Sequence, residues 1–209
     1  MKKISNLISF LAFAFILSAC ASLSEEDCKA GDWRALGFMD GQKGYEADRI
    51  NTHSKACGKY GIAPDRAAYS QGRIQGLQSF CTPTMGFEQG SGGKPLRNVC
   101  PASSALRFQQ GYMLGKQLYD ARAQIRQAKA DLIKAREGAK EELTLKCESA
   151  KDPQKCYNKK SPTLALHADV VFAQAHLMRA ELNLSQVQSH VTYQMSSIAP
   201  SYALSLYTN

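Results

Sequence analysis

The chain has 209 residues and a formal net charge of +8, from 26 lysines and arginines against 18 aspartates and glutamates. No zinc-finger, RRM or OB-like pattern accompanies the positive balance, so nucleic acid is not an expected partner. The charge reads as solubility, or as attraction to anionic polymers and headgroups.

Lys2 and Lys3 precede an apolar run from Leu7 to Leu17, which gives way to the small residues Ser18 and Ala19 and then to Cys20. That order is the order of an export signal. The run is shorter than the roughly 18 residues a spanning helix needs, so a retained transmembrane helix is not expected. Leu17-Ser18-Ala19-Cys20 resembles the bacterial lipobox. The resemblance implies cleavage before Cys20, diacylglycerol on its sulfur and a third acyl chain on its amine, and three chains hold a protein to a membrane in effect permanently. Ala21, where sorted lipoproteins retained elsewhere carry Asp, implies the outer membrane, with the periplasmic face as the default. Residues 1–19 are thus expected to be a signal peptide and residues 20–27 a lipidated N-terminus and linker. The mature chain would carry 24 basic and 18 acidic residues.

Six further cysteines remain: Cys28, Cys57, Cys81, Cys100, Cys147 and Cys156. An even number in an oxidising compartment reads as disulfides. Cys147 and Cys156 flank a short segment containing Pro153, so a turn there would bring them together. The other four are expected to pair Cys28 with Cys57 and Cys81 with Cys100, an assignment the spacing does not fix. His53 and Cys57 are four apart on a helix face, the spacing of a metal-ligand pair, but no Cys-x-x-Cys exists and no metal or other cofactor is expected.

Residues 28–103 read as short helices between turn signals, a domain stapled by disulfides. Gly31-Asp32-Trp33 opens a helix expected to reach about Cys57, Pro64 fits the first position of the next, and Thr82-Pro83-Thr84 and then Gly92, Gly93 and Pro95 break the pattern again. An aromatic residue three before a glycine, with another glycine three or four further on, recurs as Phe38, Gly41, Gly44; Tyr69, Gly72, Gly76; Phe87, Gly90, Gly93; and Phe108, Gly111, Gly115. Glycine inside a helix costs about 1 kcal/mol relative to alanine, so the repeat needs a structural return. Close approach of another backbone supplies one. The alternative is a ligand groove floored by glycine and walled by aromatics, with Tyr69, Gly72, Gly76, Phe87 and Gly90 as its candidate residues.

The succession Asp27-Cys28, Gly31-Asp32-Trp33, Gly37-x3-Gly41-x2-Gly44, His53-x3-Cys57, Pro64-Asp65, Tyr69-x2-Gly72-Arg73-x2-Gly76, Phe80-Cys81-x-Pro83, Gly86-Phe87-x2-Gly90-x2-Gly93, Val99-Cys100-Pro101 and Phe108-x2-Gly111-x3-Gly115 resembles a family of bacterial lipoproteins known as domain of unknown function 2799. The resemblance covers about residues 28–120. It implies an envelope location and a placement of structure, with no activity to transfer.

From Ser104 the pattern changes to long helices. One seam runs Leu114, Leu118, Ala121, Ile125, Ala128, Leu132, Ala135, Ala139 and Leu143, and after breaks at Pro153 and Pro162 a second runs Leu166, Val170, Ala173, Leu177, Ala180, Leu184, Val187 and Val191. Steps alternating between four and three are heptads. Residues 104–199 are therefore expected to fold back as an antiparallel hairpin, followed by a tail at 200–209 that is either disordered or docked through Tyr202, Leu206 and Tyr207. The fold class expected is all-α: short disulfide-stapled helices, then a long antiparallel two-helix coiled-coil hairpin. Residues 116–160 carry twelve basic and seven acidic side chains, which makes Lys151, Lys155, Lys159 and Lys160 at the hairpin tip candidate contacts for an acidic partner.

No catalytic constellation stands out. Gly92-Gly93-Lys94 lacks the first glycine and the Ser or Thr of a phosphate loop. No Gly-x-Ser-x-Gly elbow exists, His167, His176 and His190 read as solvated, and Asp32, Asp40, Asp48 and Glu88 would need to come together to cleave a glycan. The expected function is a non-catalytic envelope adaptor or scaffold, held to membrane lipid through Cys20, with an envelope protein as its partner. The alternative is a module binding peptidoglycan or another anionic glycan through the glycine–aromatic repeats.

Overall fold

The computed structural model describes residues 23–160 and 167–205, and every described element is helical. In chain order they are α1 (Glu25–Ala30), α2 (Trp33–Gln42), α3 (Arg49–Gly58), α4 (Arg66–Phe80), α5 (Pro83–Ser91), α6 (Ala102–Glu148), α7 (Pro153–Lys160), α8 (Ala168–Ile198) and α9 (Pro200–Ser205). Cys20, Leu166, Leu206 and Tyr207 lie outside the described residues.

Short polar side chains start the early helices by satisfying amides that lack an intrahelical partner. Ser24 and Asp27 form a reciprocal capping box at α1. Asp32 accepts from the Ala35 amide at α2, and Asp65 from the amides of Ala67 and Ala68 at α4. Thr82 caps α5 with Pro83 in its first turn. Two boundaries differ from the sequence expectation. The helix opening at Trp33 stops at Gln42 because Gly44 takes a left-handed φ of +64°, and α3 restarts at Arg49. Pro64 lies before the cap of α4, not in its first turn.

The chain divides into two units, one running to Cys81 and taking in Arg97–Ala105, the other made of Thr82–Leu96 and Leu106 onward. The long helix itself begins at Ala102, close to the change of pattern read at Ser104. Each unit is built on the same device. In the first, α2 packs along α4, and a Cβ on Gly37, Gly41, Gly72 or Gly76 would lie 1.9–2.2 Å from the carbonyl oxygen of Tyr69, Arg73, Arg34 or Phe38 respectively. The paired numbers rise together, so the helices run parallel. In the second unit α5 packs on the start of α6 in the same way, with Gly86, Gly90, Gly111 and Gly115 against the oxygens of Phe108, Tyr112, Pro83 and Phe87 at 1.9–2.2 Å. Only hydrogen fits where those oxygens sit, and carbonyl oxygens brought this close to glycine Cα–H groups make the weak bonds common at helix–helix contacts.

The correspondence extends beyond the glycines. Gly44 and Gly93, both left-handed, sit against the rings of Phe80 and Tyr119, and a Cβ on either would come within 2.4 Å of a ring carbon. The next residue's carbonyl is taken in one unit by the Arg73 guanidinium on Tyr45 and in the other by the Tyr112 hydroxyl on Lys94. The α2 positions recur 49 residues later in α5, and the α4 positions 39 residues later in α6. The irregular repeat spacing in sequence thus comes from a connection that is longer in the first unit, not from irregular geometry.

All three expected disulfides are present. Cys28–Cys57 joins α1 to α3 under a core of Leu23, Trp33, Ile50 and Tyr69; Cys81–Cys100 closes the end of α4; and Cys147–Cys156 joins the end of α6 to α7. On the loop-entropy relation, separations of 29 and 9 residues correspond to about 3.6 and about 2.6 kcal/mol. A Cys28→Ser/Cys57→Ser double variant is therefore expected to lose about 1 kcal/mol more than Cys147→Ser/Cys156→Ser in urea unfolding of the oxidised proteins.

Within the second unit α6 and α8 are antiparallel. Arg107 donates to the carbonyl of Ile198, Asn183 to Gln124, and His167 Nε2 lies 2.9 Å from the Glu142 carboxylate, so partners fall along α8 as residues rise along α6. The seam buries Leu114, Leu118, Ala121, Ala128, Leu132, Ala139 and Leu143 against Val170, Ala180 and Val191, and continues to Met195. Helices of 47 and 31 residues form it. The turn expected between Cys147 and Cys156 falls at residues 149–152, and the chain beyond it is the short helix α7. The tail begins as α9, with Tyr202 edge-on to Phe87 at 5.8 Å in the same core as Leu118 and Met195.

Candidate functional site

The most chemically suggestive group in the first unit is Asp40, His53 and Tyr69. The clasp brings Tyr69 of α4 over α2, and α3 supplies His53. The Tyr69 hydroxyl donates to Asp40 Oδ2 at 2.7 Å, and His53 Nε2 lies 2.7 Å from the same oxygen. Tyr69, His53 and Asp40 are 2%, 3% and 8% exposed. Burial pushes the Tyr69 phenol well above its ordinary value, and the hydrogen bond to Asp40 adds to this. His53 Nδ1 is buried without a hydrogen-bond partner. A nucleophile or proton donor must reach a substrate, and these groups reach only one another. Their role is to fix α2, α3 and α4 in register. The second unit has Gln89 and Phe108 at the positions equivalent to Asp40 and Tyr69, so the trio belongs to the first clasp alone.

The metal pair His53 and Cys57 does not form, because Cys57 is bonded to Cys28. No group of three His, Cys, Asp or Glu side chains fit to hold a metal occurs among the described residues. The groove reading is also corrected. Tyr69 and Phe87 are buried, and a Cβ on Gly72, Gly76 or Gly90 would lie 1.9–2.1 Å from neighbouring backbone oxygen, so the glycines are covered by another helix and leave no floor for a ligand. Asp32 is spent as a cap, Asp40 is sealed, and Asp48 and Glu88 are exposed, so no carboxylate pair assembles from them. His176 and His190 are exposed as expected, whereas His167 pairs with Glu142.

At the hairpin tip Lys151 and Lys155 are exposed and make no ion pair among the described residues, while Lys146 is held by Glu142. The side chains of Lys159 and Lys160 lie outside the described residues.

The surface feature that sequence reading missed is on α8. Val171, Met178, Leu182 and Tyr193 are exposed, the last three by 65%, 62% and 73%. At 3.6 residues per turn these four fall within an arc of about 60° on the side of α8 away from the seam. A helix in a two-helix hairpin needs one apolar face, and this one has two. The signal was present in the near absence of charge: Asp169, Arg179 and Glu181 are the only Asp, Glu, Lys or Arg residues from Ala168 to Ile198. Near the hairpin root, Leu106, Met113, His190 and Gln194 border a groove of about 450 Å³. Val171, Met178 and Leu182 lie within about three turns of one another, whereas Ser185, Gln186 and Ser189 separate them from Tyr193, and clustered exposed apolar side chains of this kind are a feature of interaction sites.

The described residues thus define an all-α protein of glycine-clasped, disulfide-stapled helices carrying a helical hairpin. Residues 32–117 match the family described as Protein of unknown function (DUF2799). The match begins at the cap of α2 and ends two residues after Gly115, so it frames the two clasps and leaves the rest of the hairpin outside. No curated protein and no solved structure matches the chain.

Proposed function

We propose that the protein is a non-catalytic adaptor of the bacterial envelope, anchored by an acylated Cys20 to the outer membrane at its periplasmic face, and that α8 is its docking surface for an envelope protein. The second apolar face of α8 carries this reading: Met178, Leu182 and Tyr193 stand in solvent on a helix whose other face is already used. Three disulfides suit an oxidising compartment. The polar trio of the first unit is closed to substrate, which weighs against an enzyme.

A photoreactive residue at Leu182 in intact cells is expected to yield a discrete protein adduct. A Met178→Glu change in the same chain should suppress that adduct while leaving the thermal unfolding midpoint close to the parent's, since exposed substitutions rarely shift stability by more than about 0.5 kcal/mol. No adduct at Leu182, or one indifferent to Met178→Glu, would remove α8 as the docking surface.

A further inference from the structure

We propose that Arg49, Arg73 and Arg97, gathered around Tyr45 in the first unit, form a binding site for a phosphate-type oxyanion. Arg73 reaches from α4 and donates through Nε and Nη2 to the Tyr45 carbonyl at 2.9 and 2.8 Å. Arg97 donates through Nη1 to the neighbouring carbonyl of Gly44 at 3.1 Å. The guanidinium carbons of Arg49 and Arg97 lie 4.7 and 5.9 Å from the centre of the Tyr45 ring, hence no more than 10.6 Å apart. Three cations therefore converge on one residue, and none of them makes an ion pair among the described residues. Glu46 and Asp48 follow Tyr45 in sequence, but neither makes an ion pair with any of the three arginines. The buried carboxyl of the unit, Asp40, is taken up by Tyr69 and His53.

Capping the end of α2 accounts for the hydrogen bonds of Arg73 and Arg97 but not for their charge. In the second clasp the equivalent carbonyl, that of Lys94, is capped by the neutral hydroxyl of Tyr112. Arg49 stacks on the Tyr45 ring at 4.7 Å, and its other surroundings call for an anion. It occupies the first turn of α3, where the helix dipole disfavours a cation and favours an anion, and Asp48 makes no side-chain cap there. Its Nε is buried with no hydrogen-bond acceptor. Each guanidinium carries five N–H groups; Arg73 spends two on the protein and Arg97 one, so donors remain on all three. Planar forks of donors around a helix start match the several oxygens of a phosphate group better than the two of a carboxylate.

The test follows the Nε–H signals of the three arginines by NMR in the full, disulfide-intact chain, held in micelles of a neutral detergent. One arm adds inorganic phosphate, with sodium chloride at matched ionic strength as the control; the other dopes the micelles with phosphatidylglycerol. A saturable shift of all three signals in at least one arm is expected, with Arg49→Gln weakening the apparent affinity about tenfold. A response to inorganic phosphate identifies a free or terminal phosphate as the ligand, and a response confined to phosphatidylglycerol identifies a lipid headgroup. The proposal is overturned if neither probe moves the wild-type signals beyond the chloride control, or if Arg49→Gln binds as tightly as wild type.

Discussion

Gly76→Ala is expected to destabilise the first unit by about 3 kcal/mol or more, although alanine is the better helix former. The added methyl would lie 2.1 Å from the Phe38 oxygen and 2.8 Å from the Gln42 nitrogen. Both are backbone atoms of α2 and cannot rotate aside as a side chain would. The helices must part, and parting them loosens Gly37, Gly41 and Gly72 at once, together with Phe80 beneath Gly44. The helix-propensity gain of about 1 kcal/mol is too small to offset that loss. Gly115→Ala should act likewise in the second unit, where the methyl would meet the Phe87 oxygen at 2.2 Å. Gly138→Ala provides the contrast: nothing lies near its Cβ, so the change should leave stability unaltered or raise it by up to about 1 kcal/mol. Urea unfolding of the three variants decides between clasp and ordinary packing, and a Gly76→Ala protein as stable as wild type would contradict the clasp.

Asp40→Ala is expected to cost about 3 kcal/mol, because it leaves both the Tyr69 hydroxyl and His53 Nε2 buried without their shared acceptor. Tyr69→Phe should cost only about 1 kcal/mol, since it removes one donor and leaves Asp40 its contact with His53. The two variants also separate by pH. Burial holds the phenol of Tyr69 above its ordinary value of about 10 in the folded chain, so the unfolded chain releases that proton first as pH rises. The stabilisation is complete below about pH 10 and is lost progressively above it, a decline that Tyr69→Phe should flatten. Equal losses from Asp40→Ala and Tyr69→Phe would mean that the carboxyl is not the hub of the cluster.

Much of this architecture was legible in the sequence. The hairpin seams were readable because heptads state their own period, and disulfides as such because six cysteines form an even set, although only the Cys147–Cys156 pairing had a local argument behind it. The glycine repeat pointed to close approach, yet the partner of each glycine stayed hidden: the connection from α2 to α4 is longer than that from α5 to α6, so equal geometry appears at unequal spacing. The same masking concealed the division into two units, since the second clasp borrows the start of the long helix α6. Asp40, His53 and Tyr69 are 13 and 29 residues apart in contact, and nothing local predicts their meeting. Arg49, Arg73 and Arg97 converge for the same topological reason. The outer face of α8 was overlooked because its apolar residues were absorbed into a helix already explained by its inner seam.

The α8 face does the work of an adaptor only if the chain is tethered where its partner is, so the anchor is the claim on which the account turns. Metabolic labelling of growing cells with a radiolabelled fatty acid, followed by membrane fractionation, tests it most directly. Acylated wild-type protein in the outer-membrane fraction is predicted, with a Cys20→Ser variant unlabelled and absent from that fraction in its mature acylated form. An unlabelled wild-type chain, or one labelled equally after Cys20→Ser, would contradict the account.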